Sequence, residues 1–114
     1  MVVNGTRNAL LGDRIRSAVG FWARFRGLIG TGSLRPGDGL WISPCDSVHT
    51  LGMRYPLDVL FVDREGTVVG CCRSLRPNRF SPRYRKAHGA LELPAGTLAR
   101  TRTEPGDSLR FDRP

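Results

Sequence analysis

Turn residues set the first limit on this chain. Fourteen glycines and eight prolines are spread through 114 residues, so breakers recur along nearly the whole length. Gly opens backbone shapes that other residues resist, and Pro fixes one torsion while removing a donor. A chain punctuated this often is expected to fold as many short strands joined by turns rather than as a helix bundle. The length fits one domain, large enough to bury a core without a metal or a disulfide.

The clearest strand runs from Leu57 to Val62. Leu57, Val59 and Phe61 share one face, and Asp58, Leu60 and Val62 share the other. Apolar residues on both faces predict a central, buried strand. Asp63-Arg64-Glu65-Gly66 reads as a hairpin turn, with Thr67 to Cys72 returning beside it. Shorter strands are expected at Val2-Val3, Ala9-Leu10, Leu40–Ile42, Ala90–Leu93 and Leu109–Phe111, with Glu92 opposite the inward Leu91 and Leu93. Asp13 to Arg16 is ambiguous. Val19 to Ile29 carries the one helical pattern: Phe21, Trp22, Phe25, Leu28 and Ile29 fall on one arc, Ser17 is a candidate N-cap and Gly30 a stop. That face is read as core packing on the sheet. Leu75 to Lys86 is polar, basic and bears two prolines, which predicts a long loop, either a functional lid or a mobile segment.

The net charge of +8 favours an anionic partner, yet the basic residues are almost all Arg, with Lys86 the one lysine. Arg in place of Lys throughout also arises from coding bias, and several Arg sit beside Asp or Glu. Three cysteines, two of them adjacent, do not make a disulfide framework and point to a reducing compartment. No apolar run reaches the ~20 residues of a membrane span, and the first residues lack a signal-peptide core. Cytoplasmic location is the expectation.

The run Pro44-Cys45-Asp46-Ser47-Val48-His49-Thr50-Leu51-Gly52-Met53-Arg54-Tyr55-Pro56-Leu57-Asp58-Val59-Leu60-Phe61-Val62-Asp63 resembles the signature of a bacterial and archaeal family of uncharacterised proteins, domain of unknown function 192. Phe21 to Gly30, Leu91 to Thr97 and Pro105-Gly106-Asp107-Ser108-Leu109 resemble its flanking elements. The resemblance implies a mainly β fold: a small jelly-roll-like β-sandwich or barrel with one short packed helix, about 19–29. It implies no activity and no cofactor.

The residues themselves leave three functions open. The first is a module that binds a small molecule or polar ligand. His49 suits proton transfer or ligation near neutral pH, and Asp58 is a carboxylate on an apolar strand face that must find donors. With Thr50 and Glu92 as further polar groups and Trp41, Met53 and Cys45 as contacts, they are expected to line one pocket. The competing structural reading has His49 and Asp58 bonding backbone groups to hold a turn. The second function is an enzyme using His49 as acid–base or metal ligand; Cys45 and His49 form a lone Cys-x3-His pair, with Asp58, His88 and Glu92 distant, so no metal site is assigned. Cys45 as a nucleophile with His49 as base has no supporting signature. The third is an accessory nucleic-acid-binding domain using Arg73, Arg76, Arg79, Arg83, Arg85 and Lys86, interleaved with Phe80 and Tyr84.

Overall fold

The computed structural model describes residues 1–18 and 34–112. The helix expected over 19–29 and the turn at 31–33 lie outside the described residues. Among the described residues, eight strands and one short helix follow in order: β1 Val2–Asn4, β2 Ala9–Gly12, β3 Arg14–Ala18, β4 Asp38–Ile42, β5 Leu57–Val62, β6 Val68–Leu75, β7 Gly89–Pro94, α1 Thr97–Thr101 and β8 Leu109–Phe111. They form a three-stranded sheet, β2-β1-β8, and a five-stranded sheet, β3-β4-β7-β5-β6. The fold is mainly β with two sheets, and the described strands do not close into a barrel. A bridge between Thr67 and Ser108 links the sheets at one corner. The ambiguous segment after Asp13 is the edge strand β3, running parallel to β4.

Strand β5 lies between β6 and β7, and all six of its residues are buried. Its two faces serve two cores. Leu60 and Val62 join Leu91, Leu93, Val2, Leu11, Leu98 and Leu109 between the two sheets. Leu57, Val59 and Phe61 join Leu40, Ile42, Cys45, Met53 and Ala90 on the other side. Tyr84 comes from the 75–86 segment to stack on Phe61, ring centroids 4.4 Å apart. It lies over Gly70, the register partner of Phe61; a Cβ there would sit 2.1 Å from the Tyr84 ring. Removing this much apolar surface from water is the main stabilising term for a sheet covered on both sides.

A sheet buried on both faces gives a polar side chain no water to turn to, so each must be bonded within the fold. Asp58 is 1% exposed. Its Oδ1 accepts the Ser74 N–H at 2.8 Å, and its Oδ2 accepts the N–H groups of Gly96 at 3.0 Å and Leu98 at 2.9 Å. Ser74 is left-handed at φ 50°. Gly96, at φ 96°, precedes α1 without a side-chain cap of its own. Asp58 thus caps α1 from a neighbouring strand and pins the far end of β6 in one carboxylate. Pro94-Ala95-Gly96-Thr97 reads in sequence as a turn, and the structure continues it into this one-turn helix.

A second buried network joins the chain ends. The Asn4 amide donates to Thr103 Oγ1 and Asp107 Oδ2, both at 2.9 Å, and Arg7 Nε donates to the same Asp107 oxygen at 3.1 Å. Burial alone would push the Asp107 carboxyl up; the bonds from Asn4, Arg7 and the Glu104 N–H outweigh it and hold the pKa below its ordinary value.

Two predictions follow from these carboxylates. Asp58→Asn replaces an acceptor of three N–H groups by an amide with its own donors, and should destabilise the fold by about 3 kcal/mol in urea denaturation; a change under about 0.5 kcal/mol would remove the clasp from this account. Asp107 has a folded-state pKa below its unfolded value of about 3.9, so its contribution is complete above that pH and is lost as pH falls through the folded value. Asp107→Asn should therefore flatten the acid limb of stability against pH, and an acid limb of unchanged steepness would contradict the network.

Candidate functional site

The stretch after Pro44 is laced to the segment after Leu75. Thr50, fully buried, sits at the middle of the lacing. Its N–H donates to the Arg79 carbonyl at 2.8 Å, its carbonyl accepts the Asn78 N–H at 2.9 Å, and its Oγ1 accepts the Arg79 N–H at 2.9 Å while donating to the Arg76 carbonyl at 2.5 Å. Val48 and Ser81 exchange two bonds, each 2.9 Å, and the Tyr84 N–H reaches the Asp46 carbonyl at 2.8 Å. The Asn78 amide oxygen accepts the Gly52 N–H at 3.0 Å. The predicted loop is therefore a loop in path but clamped along its length, which replaces the expectation of a lid or mobile segment.

The expected shared pocket does not form. Asp58 pairs with Leu93 and Val59 with Glu92 in the β5–β7 register, so the two carboxylates emerge on opposite faces of the sheet. Asp58 is consumed by backbone donors. Glu92 is buried on the other face, in register with Leu40 and Val59 rather than facing solvent. Trp41 is half-buried against the core between the sheets and packs on Phe111, ring centroids 4.8 Å apart. Met53 and Cys45 belong to the core under the laced loops. His49 lies on those loops, where its Nδ1 accepts the Leu51 N–H at 3.2 Å. The structural reading of His49 and Asp58, as residues that bond backbone groups, is the one these bonds support, although Asp58 holds the start of α1 and the end of β6 rather than the turn that carries His49.

Burial favours the protonated thiol at Cys71 and Cys72. Burial pushes the Cys71 thiol up to about 11, against an opposing pull from Arg73, and also raises Cys72. The Cys45 Sγ lies 3.0 Å from the Ser47 carbonyl as a donor. Burial, then the contact with Cys72, raises the Tyr84 phenol to about 12. A nucleophilic cysteine needs the opposite shift. Among the described residues, no group of three His, Cys, Asp or Glu comes together to hold a metal ion. None of their helices is long and apolar enough to cross a membrane.

The basic segment divides by partner. Arg83 forms an ion pair with Asp46 at 2.8 Å. The guanidinium of Arg73 donates to the Thr103 carbonyl and that of Arg79 to the Asn78 carbonyl, both at 3.3 Å. Arg76, Arg85 and Lys86 are exposed.

Open space lies instead at the end of the lacing. A hollow of about 510 Å³ is lined by Pro44, Asp63, Arg64, Glu65, Arg85, Lys86, Ala87 and His88. A smaller one of about 280 Å³ adjoins it, sharing Pro44 and Ala87 and adding Cys45, Asp46 and Ser47. The hollow exists because the His88 N–H bonds the Val62 carbonyl at 2.8 Å and the Cys45 N–H bonds the His88 carbonyl at 3.0 Å, which brings the β5–β6 turn beside the loop. Asp63 Oδ1 is occupied by the N–H groups of Glu65 and Thr67. Sequence reasoning took Asp63 to Gly66 as a turn alone and missed Arg64 as a wall residue; the charge alternation in that turn was the available signal.

Relatives share the fold and supply no activity. A protein from Thermococcus sibiricus named UPF0127 protein is 30% identical over 117 residues, covering 98% of this chain and 75% of that protein. A crystal structure of a protein of unknown function from Novosphingobium aromaticivorans superposes with a TM-score of 0.84 at 22% identity, over 96% of this chain and 82% of that one. Another, of a putative transcription regulator from Sinorhizobium meliloti, gives 0.79 at 24% identity, over 96% and 88%. At these identities the two structures speak for the fold alone. The family model described as Uncharacterized ACR, domain of unknown function 192, matches residues 3–111, and the chain belongs to that family.

Proposed function

We propose that this chain is a polar-ligand-binding module whose ligand is a small anion held in the hollow between the Asp63–Gly66 turn and the Arg85–His88 segment. The observation that carries the reading is a wall of cations without protein partners: among the described residues, no hydrogen bond or ion pair engages the side chains of Arg64, Arg85 or Lys86, which line the same space. Arg7, Arg14 and Arg83, by contrast, are each matched to a carboxylate. Three cations face Asp63 and Glu65, and Asp63 already has one oxygen held by its own turn. A phosphate or carboxylate ligand supplies the missing acceptors, with Arg offering a planar fork and Lys a point charge. His88 lines the same hollow and adds an imidazole to its wall.

The hollow is open, so affinity is modest, on the order of 0.1–1 mM, and falls with salt. Cys45, Cys71 and Cys72 form no disulfide, which supports a reducing compartment, and the cytoplasm is the location proposed with this reading.

Titration of labelled protein with pyrophosphate, followed by amide NMR, is the test. Saturable shifts confined to residues 63–66 and 85–88, abolished in the Arg85→Ala/Lys86→Ala double variant, are expected. Shifts that persist in the variant, or that spread evenly over all arginine-bearing surfaces, would contradict the proposal.

A further inference from the structure

Phe80 is 69% exposed, more than any other large apolar side chain among the described residues; Leu10 follows at 44% and Met1 at 43%. A single exposed apolar residue is ordinary. Phe80 differs in how it is held. It forms a backbone bridge with His49, and the two rings lie 6.0 Å apart, tilted by 54°. Its neighbours Arg79 and Ser81 are both bonded to the 48–50 segment, so the ring stands on a fixed support. Leu51, 40% exposed, lies on the adjoining turn. The exposure therefore belongs to a rigid surface and not to a loose loop end, and the ordering cost of binding is already met.

Charge sets the partner. Residues 47–57 and 73–88 contain no Asp or Glu, although the chain has ten of them. Arg54 and Arg76, on the turns that carry the ring pair, are exposed, with no hydrogen bond or ion pair to their side chains among the described residues, and the Arg79 guanidinium donates to the Asn78 carbonyl alone. The hydrogen bonds of Thr50 to Arg76 and Arg79, and of Gly52 to Asn78, bring these two basic turns side by side. An aromatic pair on turns that carry Arg54, Arg76 and Arg79 and no carboxylate of their own fits a ligand with flat rings strung on phosphates. A second copy of this chain would set positive surface against positive surface, and one Phe with one Leu is little apolar area for insertion into a lipid surface.

We infer that this surface binds single-stranded nucleic acid without sequence preference, a base stacking on Phe80 beside His49 while Arg54, Arg76 and Arg79 hold the flanking phosphates. Four of the basic residues in the 73–86 segment singled out by sequence then face solvent with no carboxylate or distant carbonyl engaged: Arg76, Arg79, Arg85 and Lys86. Of these, Arg76 and Arg79 belong to this surface and the other two to the hollow.

The test is fluorescence anisotropy with labelled oligouridylate and oligodeoxythymidylate of about ten nucleotides, a length within the range one small binding fold covers. Saturable binding at low salt is expected, weakening steeply as salt rises. Phe80→Ala should weaken it about tenfold, and Phe80→Trp should retain it, because stacking needs a ring and not this ring. Arg54→Ala and Arg76→Ala should each lower the salt slope by about one. Phe80 is exposed, so circular dichroism of its variants should match the parent. The inference is overturned if Phe80→Ala binds within twofold of the parent, if Phe80→Trp loses binding as Phe80→Ala does, or if Phe80→Ala instead abolishes self-association or adhesion to anionic phosphatidylserine vesicles while oligonucleotides do not bind. Arg85 and Lys86 stay intact in every variant, so this surface and the hollow fail separately.

Discussion

The covering of the central sheet on both faces is the constraint from which the other features follow. Strand β5 has no solvent-facing side, so the carboxylate of Asp58 is removed from water with it. Three backbone N–H groups then make its charge tolerable, and the same bonds fix where β6 ends and α1 begins. On the other face, the sheet needs a lid of apolar side chains. Cys45, Met53 and Tyr84 arrive there on two loops, and those loops carry backbone polar groups that also need partners. The lacing around Thr50 meets that need.

This arrangement explains why the most distinctive stretch of sequence is architectural. Residues that look catalytic in a linear reading bond backbone instead: the Asp58 carboxylate caps α1 and holds the end of β6, while the Thr50 hydroxyl and His49 Nδ1 bond backbone groups of the loops. On the proposed readings, recognition falls to what the lacing presents at its ends: an aromatic and basic surface beside His49 at one end, and a hollow beside His88 at the other. Both are built from side chains whose backbone is fixed, which suits recognition better than conformational switching.

Much of the fold was legible. A run apolar on both faces over Leu57 to Val62 gave β5 its bounds and its burial, and the Asp-Arg-Glu-Gly turn gave the hairpin after it. Alternation separates Leu91 and Leu93 from Glu92. It does not say how β7 aligns with β5, and the shared pocket depended on that. With Asp58 opposite Leu93, the two carboxylates part; a register one residue away would have set them on one face. Register is decided by pairing across distant sequence, which a single chain read locally does not carry. The helix at Thr97 was illegible for a related reason: its cap is Asp58, remote in sequence, while its own first residues look like a turn. The clamping of residues 76–84 was hidden because the bonds come from Thr50 and Val48 and leave no compositional trace in the loop itself.

Amide hydrogen exchange tests this account most directly. If the two loops are one clamped layer, the amides of Thr50, Asn78, Arg79, Ser81 and Tyr84 exchange slowly, in step with those of β5 and β7, because opening them uncovers the core beneath. Exchange of these five amides at the rate of a free peptide, while β5 and β7 stay protected, would show an unfastened cover and contradict the claim that the sequence signature serves to close it.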